Sequence, residues 1–487
     1  MSPSVEPFIE SKYKALMDGL ECSEIQKSKL ERTLRFDSEF YSKAALTITN
    51  TVSHMKHMPL TEYVTISDGN HASISDRFLA EGVPYYRGQD AGSFFIEDST
   101  PICIDQCTFD LPIMRRSHLR KNDVLLSIVG TIGAVSLVYS SRDATCSCKL
   151  AILRPKKENM AAILAVLLSS KYGQSQIKRY TRGAIQKGLI LEDMDQLVIP
   201  CFENGFNSVI RTVVNLAYSC RINSVKTYEQ ASYLLQERLQ INSLRVLNKT
   251  ISEKNYLNSY KLTGRLDAEY YQQKYDTLFD VLSKFKTKKL GGINGIVDIM
   301  KSIEPGSEAY VDEGIPFVRV SDVSKFEISI PDIKLNANIV SDPQQLFPKK
   351  DTIIFSKDGS VGIAYKIPDD MQIITSGALL HLTVRNTAEV LPDYLTLVLN
   401  SPVVRLQAER DASGAIIQHW KPSEIENVII PILDMGTQQK IADIIQESFA
   451  LRQKSKQLLE YAKQAVEMAI EQGEEIALEW LKGKVNE

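Results

Sequence analysis

The feature that most constrains this 487-residue sequence is that it is written twice. Arg35-Phe-Asp-Ser-Glu-Phe-Tyr41 returns as Arg265-Leu-Asp-Ala-Glu-Tyr-Tyr271, and Glu81-Gly-Val-Pro-Tyr-Tyr-Arg87 as Glu313-Gly-Ile-Pro-Phe-Val-Arg319. Asp123-Val-Leu-Leu-Ser, leading into Gly130-Thr-Ile-Gly133, returns as Asp351 onward into Gly359-Ser-Val-Gly362, read with one residue inserted. Gly183-Ala-Ile-Gln186 pairs with Gly414-Ala-Ile-Ile-Gln418, and Leu197-Val-Ile-Pro200 with Val428-Ile-Ile-Pro431. Five blocks in one order, about 230 residues apart, make the chain a tandem duplication.

Each copy joins two kinds of local physics. Residues 60–204 and 290–433 are rich in Gly, Pro and short β-branched runs. Val124–Val129, Val135–Tyr139, Ile152–Leu153, Thr352–Ser356 and Ile363–Ile367 read as strands between turns, and Ala161–Ser170 and Tyr394–Asn400 as short apolar helices. The remaining stretches are helical in character. No proline occurs from Cys201 to Glu304 or after Pro431, and no glycine from Phe206 to Thr263 or from Thr437 to Gln472. The expected organisation is an N-terminal helical segment (1–59), a first globular unit (60–204), a central helix (205–263), a lead-in helix (264–289), a second globular unit (290–433) and a C-terminal helix (434–487).

Both long segments carry heptad-like seams. The first runs Val214, Tyr218, Val225, Tyr228, Leu235, Leu239 and Val246, interrupted by Arg221, Ser232 and Asn242. The second holds Ile441, Ile444, Ser448, Leu451, Ser455, Leu458, Ala462, Ala465, Ala469 and Ile476. Such spacing wants a partner helix, and two similar segments in one chain pair most simply with each other, antiparallel.

Catalytic signatures are missing. There is no Gly-x4-Gly-Lys-[Ser/Thr], no dinucleotide fingerprint, no Gly-x-Ser-x-Gly and no His-Glu-x-x-His. None of the six histidines recurs between the copies, and the duplicated residues are Arg, Gly, Gln, Ser and Pro, which suit binding. Seven cysteines without framework spacing read as reduced thiols; Cys103/Cys107 and Cys146/Cys148 lack zinc-site spacing, so no metal is expected. The longest apolar run, Ala161–Leu168, is too short for a membrane span, and the first residues lack a signal-peptide pattern, so the expected location is the cytoplasm.

Charge speaks through its distribution. Lys plus Arg is 57 against 60 Asp plus Glu, a net of −3 that by itself argues against nucleic acid. Yet Leu111–Ile190 holds 14 basic and 3 acidic residues, leaving −14 on the rest of the chain. A basic window over the duplicated glycine blocks is the footprint of phosphate contact. The matching window Ser341–Trp420 has 7 basic and 9 acidic residues, so the second copy should make fewer phosphate contacts. Candidate DNA-binding residues beside the duplicated blocks are Arg87, Gln89, Arg115, Arg116, Arg179, Arg182, Gln186 and Lys187 in copy one. In copy two they are Arg319, Ser321, Lys357, Ser360, Gln418 and His419. The competing structural roles are bracing a turn for Arg87 and Arg319 and capping a helix for Gln186 and Gln418.

The ordered blocks, twice over with two intervening helices, resemble the specificity subunits of type I restriction-modification systems. The resemblance rests on Gly82-Val-Pro-Tyr-Tyr-Arg-Gly88, Lys121-Asn-Asp-Val-Leu-Leu-Ser127 with Gly130-Thr-Ile-Gly133, Gly183-Ala-Ile-Gln186, Leu197-Val-Ile-Pro200 and Gln438-Gln-Lys-Ile-Ala442. It implies an α+β chain with two mixed α/β target recognition domains, separated by long antiparallel coiled-coil helices. Each domain would read half of a bipartite duplex DNA target. The helices would dock two copies of an adenine methyltransferase subunit, with a restriction/translocase subunit as a further partner. This chain would then be non-catalytic and bind no cofactor, with S-adenosylmethionine, ATP and Mg acting in the partner subunits. A helix of about 40 residues spans ~60 Å, against ~34 Å between successive major-groove faces, which suits a spacer between two readers. Two other readings stay open: a free-standing sequence-specific DNA-binding protein, and a helical scaffold with two protein-binding modules.

Overall fold

A computed structural model describes residues 9–28, 30, 35–183, 187–241, 251–257, 259–339, 341–414 and 418–486. The chain divides into two compact units, Met1–Cys220 with Lys454–Glu487 and Arg221–Gln453.

In unit 1 the apolar runs become a four-stranded antiparallel sheet. Its order is Val64–Asp68, Leu150–Pro155, Val124–Ser127 and Val135–Leu137. Strands Leu150–Pro155 and Val124–Ser127 lie at its centre and are almost wholly buried, which is why they read as continuous apolar runs rather than alternating ones. A smaller sheet orders Phe78–Leu79, Ile102–Ile104, Val83–Tyr86 and Thr145–Cys146, the last pair parallel. His57–Pro59 pairs with Val198–Pro200, so the Leu-Val-Ile-Pro block closes the unit. Helices Ala161–Ser169 and Lys171–Tyr180 follow, the second N-capped by Ser170.

Unit 2 repeats this strand for strand. Val297–Lys301, Leu379–Val384, Ile353–Ser356 and Ala364–Lys366 form its larger sheet. Tyr310–Val311, Lys334–Leu335, Ile315–Val318 and Ile374–Thr375 form the smaller one, and Thr287–Lys289 pairs with Ile429–Pro431. Helices Pro392–Leu399 and Pro402–Asp411 complete it. The architecture is therefore mixed α/β, duplicated.

The long helices are Asn204–Arg238 and Met435–Gln472. Within unit 1 they run antiparallel: the Glu203 N–H meets the Glu474 carboxylate at 3.1 Å, and Ser455 Oγ donates to the Ala217 carbonyl at 2.7 Å. Within unit 2, Ser448 Oγ donates to the Ser224 carbonyl at 2.7 Å, and Leu235 and Leu239 share a core with Ile441 and Ile445. Ala217, Ser224 and Ala231, spaced by seven on the first helix, are fully buried, and the first two accept these serine hydrogen bonds. Large-residue periodicity passes over them, because small side chains mark where two backbones approach. Val214, Tyr228, Leu235, Leu239, Ile441, Leu458, Ala462 and Ala465 of the expected seams are buried, while Tyr218, Val225, Ile444 and Leu451 are half-buried.

Three helix expectations need correction. The central helix stops at Arg238, with Gln240 in the left-handed region at φ 54°, and residues 251–255 are not helical. Missing Gly and Pro were a weak guide there; Ser259 Oγ donates to the Asn255 carbonyl at 2.7 Å, the kind of local bond that competes with a helix. Val246 and Asn242 lie outside the described residues. The lead-in segment 264–289 is helical only over Gln273–Leu282, apart from a short turn, Ala268–Tyr271. Gly473 (φ 97°) divides the C-terminal segment into Met435–Gln472 and Glu474–Asn486, which takes Ile476 off the seam and leaves it exposed. No helix among the described residues is long and apolar enough to cross a membrane.

Candidate nucleic-acid interface

Three duplicated segments meet at one edge of unit 1, and the contact between two of them recurs in unit 2. In unit 1 the strand Val124–Ser127 runs into a tight turn in which the Gly133 N–H returns to the Ser127 carbonyl at 3.0 Å. Gly130 (φ 86°) and Gly133 (φ 90°) supply the left-handed conformations the turn needs. Thr131 Oγ1 donates to the Gly88 carbonyl at 2.8 Å, tying the turn to the short helical turn Gly88–Asp90. Beside it, Arg182 and Gly188 exchange both backbone hydrogen bonds, at 2.8 and 2.7 Å, and the Leu189 N–H reaches the Ile128 carbonyl.

Unit 2 builds the same edge. The Gly362 N–H returns to the Ser356 carbonyl, Ser413 and His419 exchange backbone hydrogen bonds, and the Trp420 N–H reaches Lys357. These bonds correct two sequence alignments. Gly188 and His419 close loops of equal length from Arg182 and Ser413, so Gln418 stands opposite Lys187, not opposite Gln186. Asn122 (φ 72°) and Asp351 (φ 64°) occupy the same left-handed turn position, with no residue inserted before the glycines. Asn and Asp are the side chains that tolerate that conformation best.

The candidate residues fall into distinct places. Gln89, Lys187, Ser321, Ser360, Gln418 and His419 are exposed on this edge. The Arg87 and Arg319 main-chain N–H groups donate to Asp90 and Asp322 at 2.7 and 2.8 Å, so both residues cap a turn while their side chains stay partly open. Arg182 is paired with Asp193. Lys357 and His419 both contact Asp358, the histidine at 2.9 Å, so in unit 2 an acid offsets Lys357, while Lys187 in unit 1 is exposed.

Arg115 and Arg116 lie elsewhere, on the turn Pro112–Ser117, with Arg116 held by Asp68. Arg179 faces inward: its Nε donates to the Phe40 carbonyl and Nη1 to Thr49 Oγ1, both at 2.9 Å, its guanidinium covers the Phe40 ring, and burial pushes its pKa down. Gln186 lies outside the described residues. Lys149, exposed, was not picked out by sequence; its carbonyl accepts from the Ile128 N–H, which sets it beside the glycine turn. Its counterpart is Ala378, so block comparison passes over it. A cleft of about 1160 Å³ in unit 1 is lined by Arg35, Phe36, Ile132, Lys178, Arg182 and Lys187, among others. No group of three His, Cys, Asp or Glu residues suited to a metal occurs among the described residues.

The arrangement offers backbone turns, amides and cations at a shared edge, which suits holding a polyanion rather than breaking a bond. Comparison with known proteins gives three findings. Residues 283–461 match the family model for the type I restriction modification DNA specificity domain. No curated protein gives a significant match to the sequence. Among solved structures, the type I restriction-modification S subunit from M. genitalium aligns at 15% identity and a TM-score of 0.35, over 88% of this chain and 95% of that one. The HsdS subunit from Thermoanaerobacter tengcongensis aligns at 15% identity and a TM-score of 0.28, over 86% and 97%.

Proposed function

We propose that this chain, which carries the type I restriction modification DNA specificity domain at residues 283–461, is the non-catalytic subunit that reads a bipartite duplex DNA target, one half with each unit. One observation carries the reading. Two units of the same topology place the same duplicated segments at matching positions but fill them differently: Gln89 against Ser321, Val129 against Asp358, Lys187 against Gln418, Gly188 against His419. A constant frame with divergent contact chemistry is what two different half-sequences require, since phosphate contacts position a protein and base contacts specify. Adenine methyltransferase subunits, two copies docked on the long helices, would supply the S-adenosylmethionine chemistry. A restriction/translocase subunit using ATP and Mg is the further partner. The test is to map modified adenines in cells expressing the methyltransferase with and without this chain. A two-part adenine motif present only with the chain is the expected result; an unchanged map overturns the reading.

The charge asymmetry gives a second expectation. Lys149, Lys178 and Lys187 are exposed in unit 1, whereas Lys357 in unit 2 is already paired with Asp358. Converting the three unit 1 lysines to glutamate should weaken duplex binding on the order of 100-fold near physiological salt. Lys357→Ala should shift it by less than about threefold, as expected for a charge already compensated. Fluorescence anisotropy across a salt series reads both; equal losses from the two variants would remove the asymmetry.

A further inference from the structure

Phe36 and Leu266 stand at the same position of the duplicated Arg-x-Asp block, and each is 80% exposed. A single exposed apolar residue needs no explanation. Two at equivalent places, each on a support built the same way, do.

Arg35 grips Asp37 through Nε and Nη2 at 2.8 and 2.9 Å, and the Phe40 N–H caps the same carboxylate at 3.1 Å. Arg265 grips Asp267 the same way. These bonds hold both carboxyls below the usual range. Each arginine also lies over the aromatic ring five residues on, Phe40 at 4.5 Å and Tyr270 at 4.4 Å. A second arginine covers that ring from the helix preceding the reading loop, Arg179 in unit 1 and Arg410 in unit 2. The backbone on both sides of the exposed side chain is therefore fixed, and it is fixed to the base of the loop: Arg179 binds the Phe40 carbonyl, and Arg265 Nη1 reaches the Asp411 carbonyl at 3.4 Å. In unit 1, Phe36 lines the cleft that also holds Lys178, Arg182, Gly183 and Lys187.

We propose that Phe36 and Leu266 are apolar wedges that enter the base stack of the bound duplex beside each reading loop. The inference rests on the reading of the chain as a DNA reader. Lys178 and Lys187, both exposed in the unit 1 cleft beside Asp37 and Glu39, complement the phosphates, and Phe and Leu are among the side chains that part neighbouring base pairs without reading their identity. That indifference to sequence explains why the support is kept in both copies while the loops diverge. It also explains why an aromatic ring and an aliphatic side chain can fill the same place.

The test uses the full-length chain on duplexes carrying its mapped target, with 2-aminopurine placed in turn along each half-site. Wild-type binding should raise fluorescence several-fold at one step per half-site. Phe36→Ala should abolish the rise in the half read by unit 1 and weaken binding about tenfold, while Phe36→Leu keeps both. Leu266→Ala should act in the other half alone. Phe36→Ala that binds and unstacks as the wild type does overturns the wedge and leaves the DNA reading intact. The same result with loss of methyltransferase co-purification marks a protein-docking knob and also overturns it. A wild-type chain that holds no duplex removes the DNA reading, and the wedge with it.

Discussion

Asp123→Ala is expected to destabilise unit 1 by about 3–5 kcal/mol, the cost of leaving one partner of a buried pair alone. Asp123 is fully buried at the start of the strand Val124–Ser127. Its two oxygens take Arg154 Nε and Nη2 at 2.7 Å each, and Oδ2 also accepts from the Arg120 N–H at 2.7 Å. The carboxylate holds the Arg154 pKa up through these bonds. Truncation leaves Arg154 with only its 3.2 Å bond to the His118 carbonyl, and its 32% side-chain exposure gives partial rehydration, which places the cost toward the lower end. Amide exchange in Val124–Ser127 and Leu150–Pro155 is the readout. Unit 2 is the internal control, because Thr352 stands at the matching place. A loss below about 1 kcal/mol, the range of exposed pairs, would show that solvent already screens this one.

Unit 2 carries a different weakness, toward acid. His381 lies on the strand Leu379–Val384 opposite Ile354, 2% exposed, with Nε2 at 2.8 Å from Thr375 Oγ1. Burial pushes its pKa down from 6.5 to about 4. With the folded value below the unfolded one, the unfolded chain takes the proton first. Stability is then complete above pH ~6.5 and falls by about 3 kcal/mol as pH drops to 4. The unit 1 counterpart on the central strand is Ile152, which does not titrate. His381→Ile should therefore flatten this part of the acid response of unit 2, measured as urea midpoints between pH 7 and 4.5. An unchanged slope would assign acid sensitivity to the carboxylates instead.

Much of the frame was legible because strand and turn chemistry is local. The β-branched runs before Gly130 and Gly359 fall where strands form, and the glycines sit at left-handed turn positions that few other residues accept. Helix ends were less legible, since Gln240 turns left-handed without a glycine to announce it. The candidate site was only partly legible. Arg179 belongs to the basic window by sequence, yet its guanidinium is held inside by Phe40 and Thr49. Lys149 escaped notice because its place beside the turn depends on strand pairing with a segment some twenty residues away.

By itself the sequence determined that the molecule is a duplicated α/β chain with long helical segments and that positive charge gathers in copy one, because repeat order, periodicity and composition are properties of the string. Only the tertiary structure decided which charges stay open. Asp68 and Asp193 come to Arg116 and Arg182 by folding, and each of these ion pairs removes a cation that a window count includes, while Asp358, next in the chain to Lys357, is brought to His419 as well. It also decided that Lys187 answers to Gln418, since the closing of a loop by two backbone hydrogen bonds is set in space and not by matching letters.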